Sequence, residues 1–150
     1  IGKTIYMNQS QLLDLLANDM EIGSHTINHA PLALIDPKYL PWEVGNAKKF
    51  LEKKLNGYVL QGKAYPNGGY NKNVINAMQE YGFVYGLTGK VGANTHQNFA
   101  QAPYEMYRIS IVDDGSGLEG FKRRLERAYI WGYLQTKGID LNILREMLMK

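Results

Sequence analysis

The 150-residue chain contains no cysteine, which excludes disulfides, thiolate metal sites and cysteine nucleophiles together. That absence suits an extracytoplasmic bacterial protein and a cytosolic one equally, so it does not set the compartment. No apolar run approaches the roughly 20 residues that a bilayer-spanning helix requires. The chain opens at Ile1 with neither an initiator methionine nor a signal-peptide pattern, which predicts a piece of a longer protein. There is no internal repeat and no low-complexity segment. A large charge imbalance is also missing: 17 Lys and Arg against 14 Asp and Glu leave a net charge of +3. With 45% of residues hydrophobic, that near-balance excludes intrinsic disorder. A single domain spanning residues 1–150 is the expectation, since that length suffices to bury a core.

Much of the excess positive charge lies in one run, Lys122, Arg123, Arg124 and Arg127. Such a patch could serve nucleic acid or another anionic polymer. Glu119 and Glu126 are interleaved with it and no stacking aromatics alternate, so a solvated helix face is the expectation and nucleic acid is not an expected partner.

Asn8 and Gln11 form a capping-box pattern ahead of Leu12, Leu13, Leu15 and Leu16, predicting a helix that ends near Asp19. Met20 to His25 reads as a strand, followed by a loop through Pro31. Asp36-Pro37 marks a new helix start, and Val44, Ala47, Phe50, Leu51 and Leu55 recur at helical spacing from Trp42 until Asn56-Gly57. A second strand is expected over Tyr58 to Tyr65, then the Gly68-Gly69 turn. Asn71 caps a helix carrying Val74, Ile75, Ala77 and Met78, closed by Gly82. Phe83 to Leu87 is the third expected strand, Gly89 to Pro103 an irregular polar loop, and Tyr107 to Val112 the fourth strand. Ser116 and Glu119 predict a helix through Phe121, Leu125 and Ala128, and the tail from Ile139 to Leu148 reads as helical. Strands alternating with helices predict an α/β protein with a parallel sheet or barrel, whose sites lie at the C-terminal ends of the strands.

The first strand ends in Ser24-His25-Thr26-Ile27-Asn28-His29. Two imidazoles four residues apart can converge on one divalent metal ion, or they can be two hydrogen-bonded structural histidines. Pro31 follows too closely for a long helix, so a single helical turn or a tight loop is expected there. The second strand ends in Tyr65-Pro66-Asn67-Gly68-Gly69-Tyr70, a rigid turn whose backbone N–H groups could hold an oxyanion and whose aromatics could stack on a sugar. The same residues also suit an ordinary strand-to-helix turn. Asp113-Asp114-Gly115 reads as a turn ahead of the Ser116 helix, and His96 as a solvent-exposed side chain. Gly89-Lys90 is followed by Val91 where a phosphate-binding loop needs Ser or Thr, so that motif is excluded.

The run Met20 to His29, followed by Tyr65 to Asn71, resembles the polysaccharide deacetylase (NodB-like) family of carbohydrate esterases. The similarity extends in order over roughly residues 4 to 128, through Tyr107-Arg108-Ile109 and the Leu118 helix. The resemblance implies part of a distorted (β/α) barrel lacking its first strand or strands. It also implies a divalent metal, commonly zinc, and hydrolysis of N- or O-acetyl groups on a cell-wall or exopolysaccharide, most specifically on N-acetylglucosamine units. By motif match His25 and His29 are two of three metal ligands, and the backbone around Asn67 helps hold the oxyanion. Tyr65, Pro66 and Arg108 join Asn67 as the implied substrate-side residues.

The family's Asp-Asp-Gly motif, source of the general base and third ligand, has no match ahead of His25. It is therefore expected upstream of Ile1, and residues 1–150 alone are expected to be inactive. Ala64 stands where many members carry arginine, as in subgroups similar to the biofilm-polysaccharide deacetylases, and Asn67 where many carry an aromatic residue. The late histidine motif is not recognisable between Ile139 and Lys150. Arg108 either orients a carboxylate or caps a strand. An acetylated polysaccharide is the expected partner, an extracytoplasmic location the expected setting, and self-association through an exposed sheet edge a further expectation. The alternative is a degenerate fold of the same kind that binds glycan through Tyr65, Tyr70 and the loop from Gly89 without catalysis.

Overall fold

The computed structural model describes residues 6–109 and 115–139. Helix α1, Gln9–Ala17, opens with the expected capping box: Gln11 N donates to Asn8 Oδ1 at 3.0 Å and Asn8 N donates to Gln11 Oε1 at 2.9 Å. Leu12, Leu13 and Leu16 of α1 lie against the core. Asp36-Pro37 begins a 3-10 turn, Pro37–Tyr39, and not a full helix. The helix expected from Trp42 starts as a π-helical turn, Pro41–Asn46, and becomes the regular helix α2 only over Ala47–Lys54.

Three short strands follow: β1 Gly62–Ala64, β2 Tyr85–Val91 and β3 Met106–Arg108. They are parallel, in the order β1-β2-β3, with Gly62 opposite Tyr85, Ala64 opposite Leu87, and Val91 opposite Arg108. On the far side of β1, Ser24 forms one parallel bridge to Lys63, with Ser24 N donating to Gly62 O and Ala64 N to Ser24 O. The expected strand Met20–His25 is thus reduced to this bridge. Among the described residues it has backbone partners along one edge only, too few to build a ladder. Because neighbours in space are neighbours in sequence, the sheet is a sector of a barrel; a doubly wound sheet would reverse its order at a switch point.

Between β1 and β2, the 3-10 turn Pro66–Gly68 leads into helix α3, Lys72–Glu80, whose N-cap Asn71 accepts from Val74 N at 3.1 Å. The stretch Gly89 to Pro103 is more ordered than its composition predicted. β2 continues to Val91, and helix α4, His96–Gln101, follows behind a second capping box in which Asn98 N donates to Thr95 Oγ1. His96 is exposed, as expected. Helix α5 runs over Gly117–Thr136, eight residues past Ala128. Asp113, Asp114, the far end of the fourth expected strand and the tail beyond Ile139 lie outside the described residues.

The core consists of Leu32, Leu40, Val44, Leu55, Leu60, Tyr65, Val74, Ala77, Met78 and Phe83. Phe50 shared the helical spacing of Val44 and Ala47 but is exposed on α2. The core sits between the sheet and the helices α2 and α3, which leaves the C-terminal ends of the strands open to solvent. Among the described residues no helix is long and apolar enough to cross a membrane.

Candidate metal and substrate site

The histidine segment is a tight loop, not a turn of helix. Thr26 and His29 both adopt left-handed backbone, with φ of 69° and 54°, so the chain doubles back between them. This brings the exposed rings of His25 and His29 to 4.8 Å between centroids, edge to face at 74°. His25 Nδ1 lies 2.8 Å from the carbonyl oxygen of Ala64. A carbonyl can only accept, so Nδ1 carries the proton and the lone pair is on Nε2. Metal-ligating histidines are held in this way, with the second nitrogen donating to a backbone carbonyl.

A buried carboxylate holds the loop from beneath. Glu43, in the π-helical turn, accepts from Ile27 N at 3.1 Å, from Asn28 N at 3.0 Å and from Asn28 Nδ2 at 2.7 Å. Burial pushes the Glu43 carboxyl up, but the Asn28 and Ile27 hydrogen bonds and the nearby Lys63 ammonium outweigh it and hold the group below the usual carboxylate range. Lys63 on β1 is completely buried, with Nζ at 3.3 Å from Ser24 Oγ and 3.5 Å from the Glu43 carbonyl oxygen. Its burial pushes the ammonium pKa down to about 8, partly opposed by Glu43. Neither residue stood out in the sequence. Strand alternation does not mark Lys63, which shares its phase with the exposed Gln61 as well as with the buried Tyr65. A glutamate within a helical stripe carries no mark either.

The second strand's turn is fastened to the same end of the sheet. Asn67 is exposed and left-handed at φ 54°, and Gly68 follows at φ 71°. A Cβ on Gly68 would stand 2.4 Å from Gly89 N, so only glycine lets this turn pack on β2. Gly68 N donates to Tyr65 O and Gly69 N to Pro66 O. Pro66 has no N–H, so the Asn67 N–H is the donor of this turn not spent on those bonds.

Two expectations at this turn are corrected. Tyr65 and Pro66 are buried, and the Tyr65 hydroxyl donates to Tyr104 O at 2.9 Å, so these side chains belong to the core and cannot stack on a sugar. Tyr70 is half-buried, stacked on Tyr65 at 5.2 Å with Lys90 Nζ 5.3 Å from its ring centre, and its hydroxyl is bonded to Glu105 and Lys90. One face is therefore taken by Tyr65 and the hydroxyl end by Glu105 and Lys90. Arg108 Nε donates to Thr88 O at 2.7 Å, the strand-tying alternative, and pairs with no carboxylate among the described residues. Of the implied substrate-side residues, Asn67 and Arg108 are exposed, Asn67 with its backbone N–H and Arg108 with the guanidinium N–H groups not spent on Thr88 O.

The two imidazoles, one already fixed with its Nε2 lone pair available, fit a divalent cation as nitrogen ligands. Beside them Thr26 Oγ1 is buried without a hydrogen-bond partner among the described residues. No third His, Asp or Glu completes a cluster within the described residues. A cavity of about 470 Å³ opens next to this loop between Ile27, Trp42 and Phe50.

A parallel strand-and-helix sector with its candidate site at the C-terminal strand ends is the architecture of a (β/α) barrel. The fold superposes with TM-score 0.69 on Streptococcus pyogenes deacetylase PplD in complex with acetate, at 24% identity over 82% of this chain and 52% of that one. It superposes with TM-score 0.62 on IcaB from Ammonifex degensii, at 17% identity over 78% of this chain and 53% of that one. The polysaccharide deacetylase family model matches residues 1–86, and the chain belongs to the polysaccharide deacetylase family. It is 26% identical over 121 residues to "Putative polysaccharide deacetylase YxkH" of Bacillus subtilis (strain 168), covering 78% of this chain and 42% of that protein. The chain thus spans about half the length, or less, of the relatives it matches.

Proposed function

We propose that this chain is the histidine-bearing part of a metal-dependent hydrolase that removes acetyl groups from a cell-wall or exopolysaccharide, acting on N-acetylglucosamine units outside the cytoplasm. The observation that carries the proposal is the His25–His29 pair, held edge to face at 4.8 Å with His25 fixed through Nδ1. Family membership supports the reaction class, and the similarity to the biofilm-polysaccharide subgroup supports the choice of sugar.

His25 and His29 would hold the ion, and zinc suits two imidazole nitrogens. When bound, the ion supplies Lewis acidity toward the acetyl carbonyl. The chain's own contribution is geometric. Ala64 O holds His25 in one tautomer, and the Asn67 N–H, in the turn that follows β1, would donate to a developing oxyanion. Because Ala64 directly precedes the Tyr65–Gly69 turn, the bond from His25 ties the metal side of the site to the oxyanion side.

In the full-length protein, His25→Ala is expected to abolish both stoichiometric zinc binding and acetate release from an N-acetylglucosamine oligomer. Acetate release at the wild-type rate in that variant would sink the proposal. Glycan binding by the wild type with neither zinc nor acetate release would replace it with the non-catalytic alternative.

A further inference from the structure

We propose that Glu43 is a positioning residue for the histidine centre: its carboxylate holds the Thr26–His29 loop in the shape that brings the two imidazoles together, with Lys63 as its buried counter-charge. The inference rests on the metal-site reading above, but its evidence lies in the layer beneath the histidines. Left-handed backbone at a residue with a Cβ costs about 1–2 kcal/mol, and this loop carries two such residues, Thr26 and His29. Something must hold it there. Between them, the N–H groups of Ile27 and Asn28 and the Asn28 side chain all point to one acceptor, the Glu43 carboxylate. Bonds to a charged acceptor are roughly twice as strong as neutral ones.

The π-helical turn explains how a carboxylate comes to be there. Glu43 and Val44 are buried side by side in this turn, and Gly45, which has no side chain, is buried as backbone. Gly45 lies under the Tyr81 ring, where a Cβ would be 2.4 Å from Cε1, while Glu43 reaches the loop. A buried anion needs compensation. Lys63 contributes to it from β1 without a direct ion pair, its Nζ at 3.5 Å from the Glu43 carbonyl oxygen, and through Ser24 Oγ it also touches the residue just before His25. Glu43 and Lys63 thus link three elements, the π turn, the strand β1 and the histidine loop. Neither is a ligand.

The test uses the full-length protein and zinc alone as probe, titrated in competition with a chromophoric chelator. Glu43→Gln keeps the shape but removes the charge that all three bonds share and sets an amide N–H₂ against Asn28 Nδ2, and zinc affinity is expected to fall about 10- to 100-fold, as for outer-shell partners of metal ligands. That variant also strands the Lys63 charge and loses stability. The double variant Glu43→Gln/Lys63→Met therefore separates the two roles: unfolding stability is expected to recover while zinc affinity stays low. Affinity that recovers together with stability, or is unchanged in Glu43→Gln, would overturn the positioning role.

A wild-type protein that binds no zinc refutes the metal reading itself. Amide hydrogen exchange at Ile27 and Asn28 then tests the clamp independently: faster exchange in metal-free Glu43→Gln supports it, and unchanged exchange overturns it.

Discussion

Raising the pH from 8 to 10 is expected to stabilise this protein, the reverse of the usual alkaline trend, because of Lys63. Its side chain is completely buried, and burial lowers its pKa from 10.5 to about 8. Between those values the unfolded chain holds a proton at Lys63 that the folded chain has released. The free energy of unfolding therefore rises with pH across the window. At 1.36 kcal/mol per pKa unit, the gain between pH 8 and pH 10 is about 2 kcal/mol. That is the contribution of Lys63 alone; toward pH 10 it is opposed, because tyrosines of the unfolded chain begin to ionise while Tyr65, Tyr70 and Tyr85, pushed up by burial, stay protonated in the fold, as does Lys90, pushed up by its hydrogen bond to Tyr70. Urea unfolding followed by tryptophan fluorescence at pH 7, 8, 9 and 10 measures the curve. Lys63→Met removes the titrating group and is expected to abolish the rise. A flat or falling wild-type curve between pH 8 and 10, or the same rise in Lys63→Met, would refute the assignment.

Two other substitutions probe the frame of the site. Tyr65→Phe removes the hydroxyl that donates to Tyr104 O and leaves that carbonyl without its partner; a loss of about 1–3 kcal/mol in urea unfolding is expected, and a change of a few tenths would contradict the buried bond. Gly68→Ala sets a methyl against the Gly89 backbone at a residue with φ of 71°. Its left-handed strain alone costs about 1–2 kcal/mol, and the displaced Asn67 turn is expected to cut acetate release more than it lowers the melting temperature. Normal turnover in a destabilised Gly68→Ala would remove Asn67 from the proposed site.

Local chemistry made some of this structure legible in advance. The Asn8 capping box, the Asn71 cap and the apolar faces of α1 and α3 depend on residues three or four apart, and they form as the spacing predicts. The Gly89 to Pro103 stretch reads as irregular because its polar composition hides a capping box, Thr95 and Asn98, ahead of α4. Met20 to His25 has strand character in sequence, but a strand exists only where a partner pairs with it, and among the described residues the partner reaches Ser24 alone.

By itself the sequence determined the α/β alternation, the place of the histidine pair after a strand and the family resemblance, because all three rest on short-range spacing. Tertiary structure decided which of the proposed site residues can meet a ligand. Tyr65 and Pro66 are both buried while Asn67 faces solvent: a turn has no fixed alternation of side chains, and the packing around it sets which of its residues are inside. It also decided that Glu43 and Lys63, twenty residues apart, meet beneath the histidine loop. Such a meeting of buried polar residues depends on which faces of two distant elements are pressed together, and no local pattern records that.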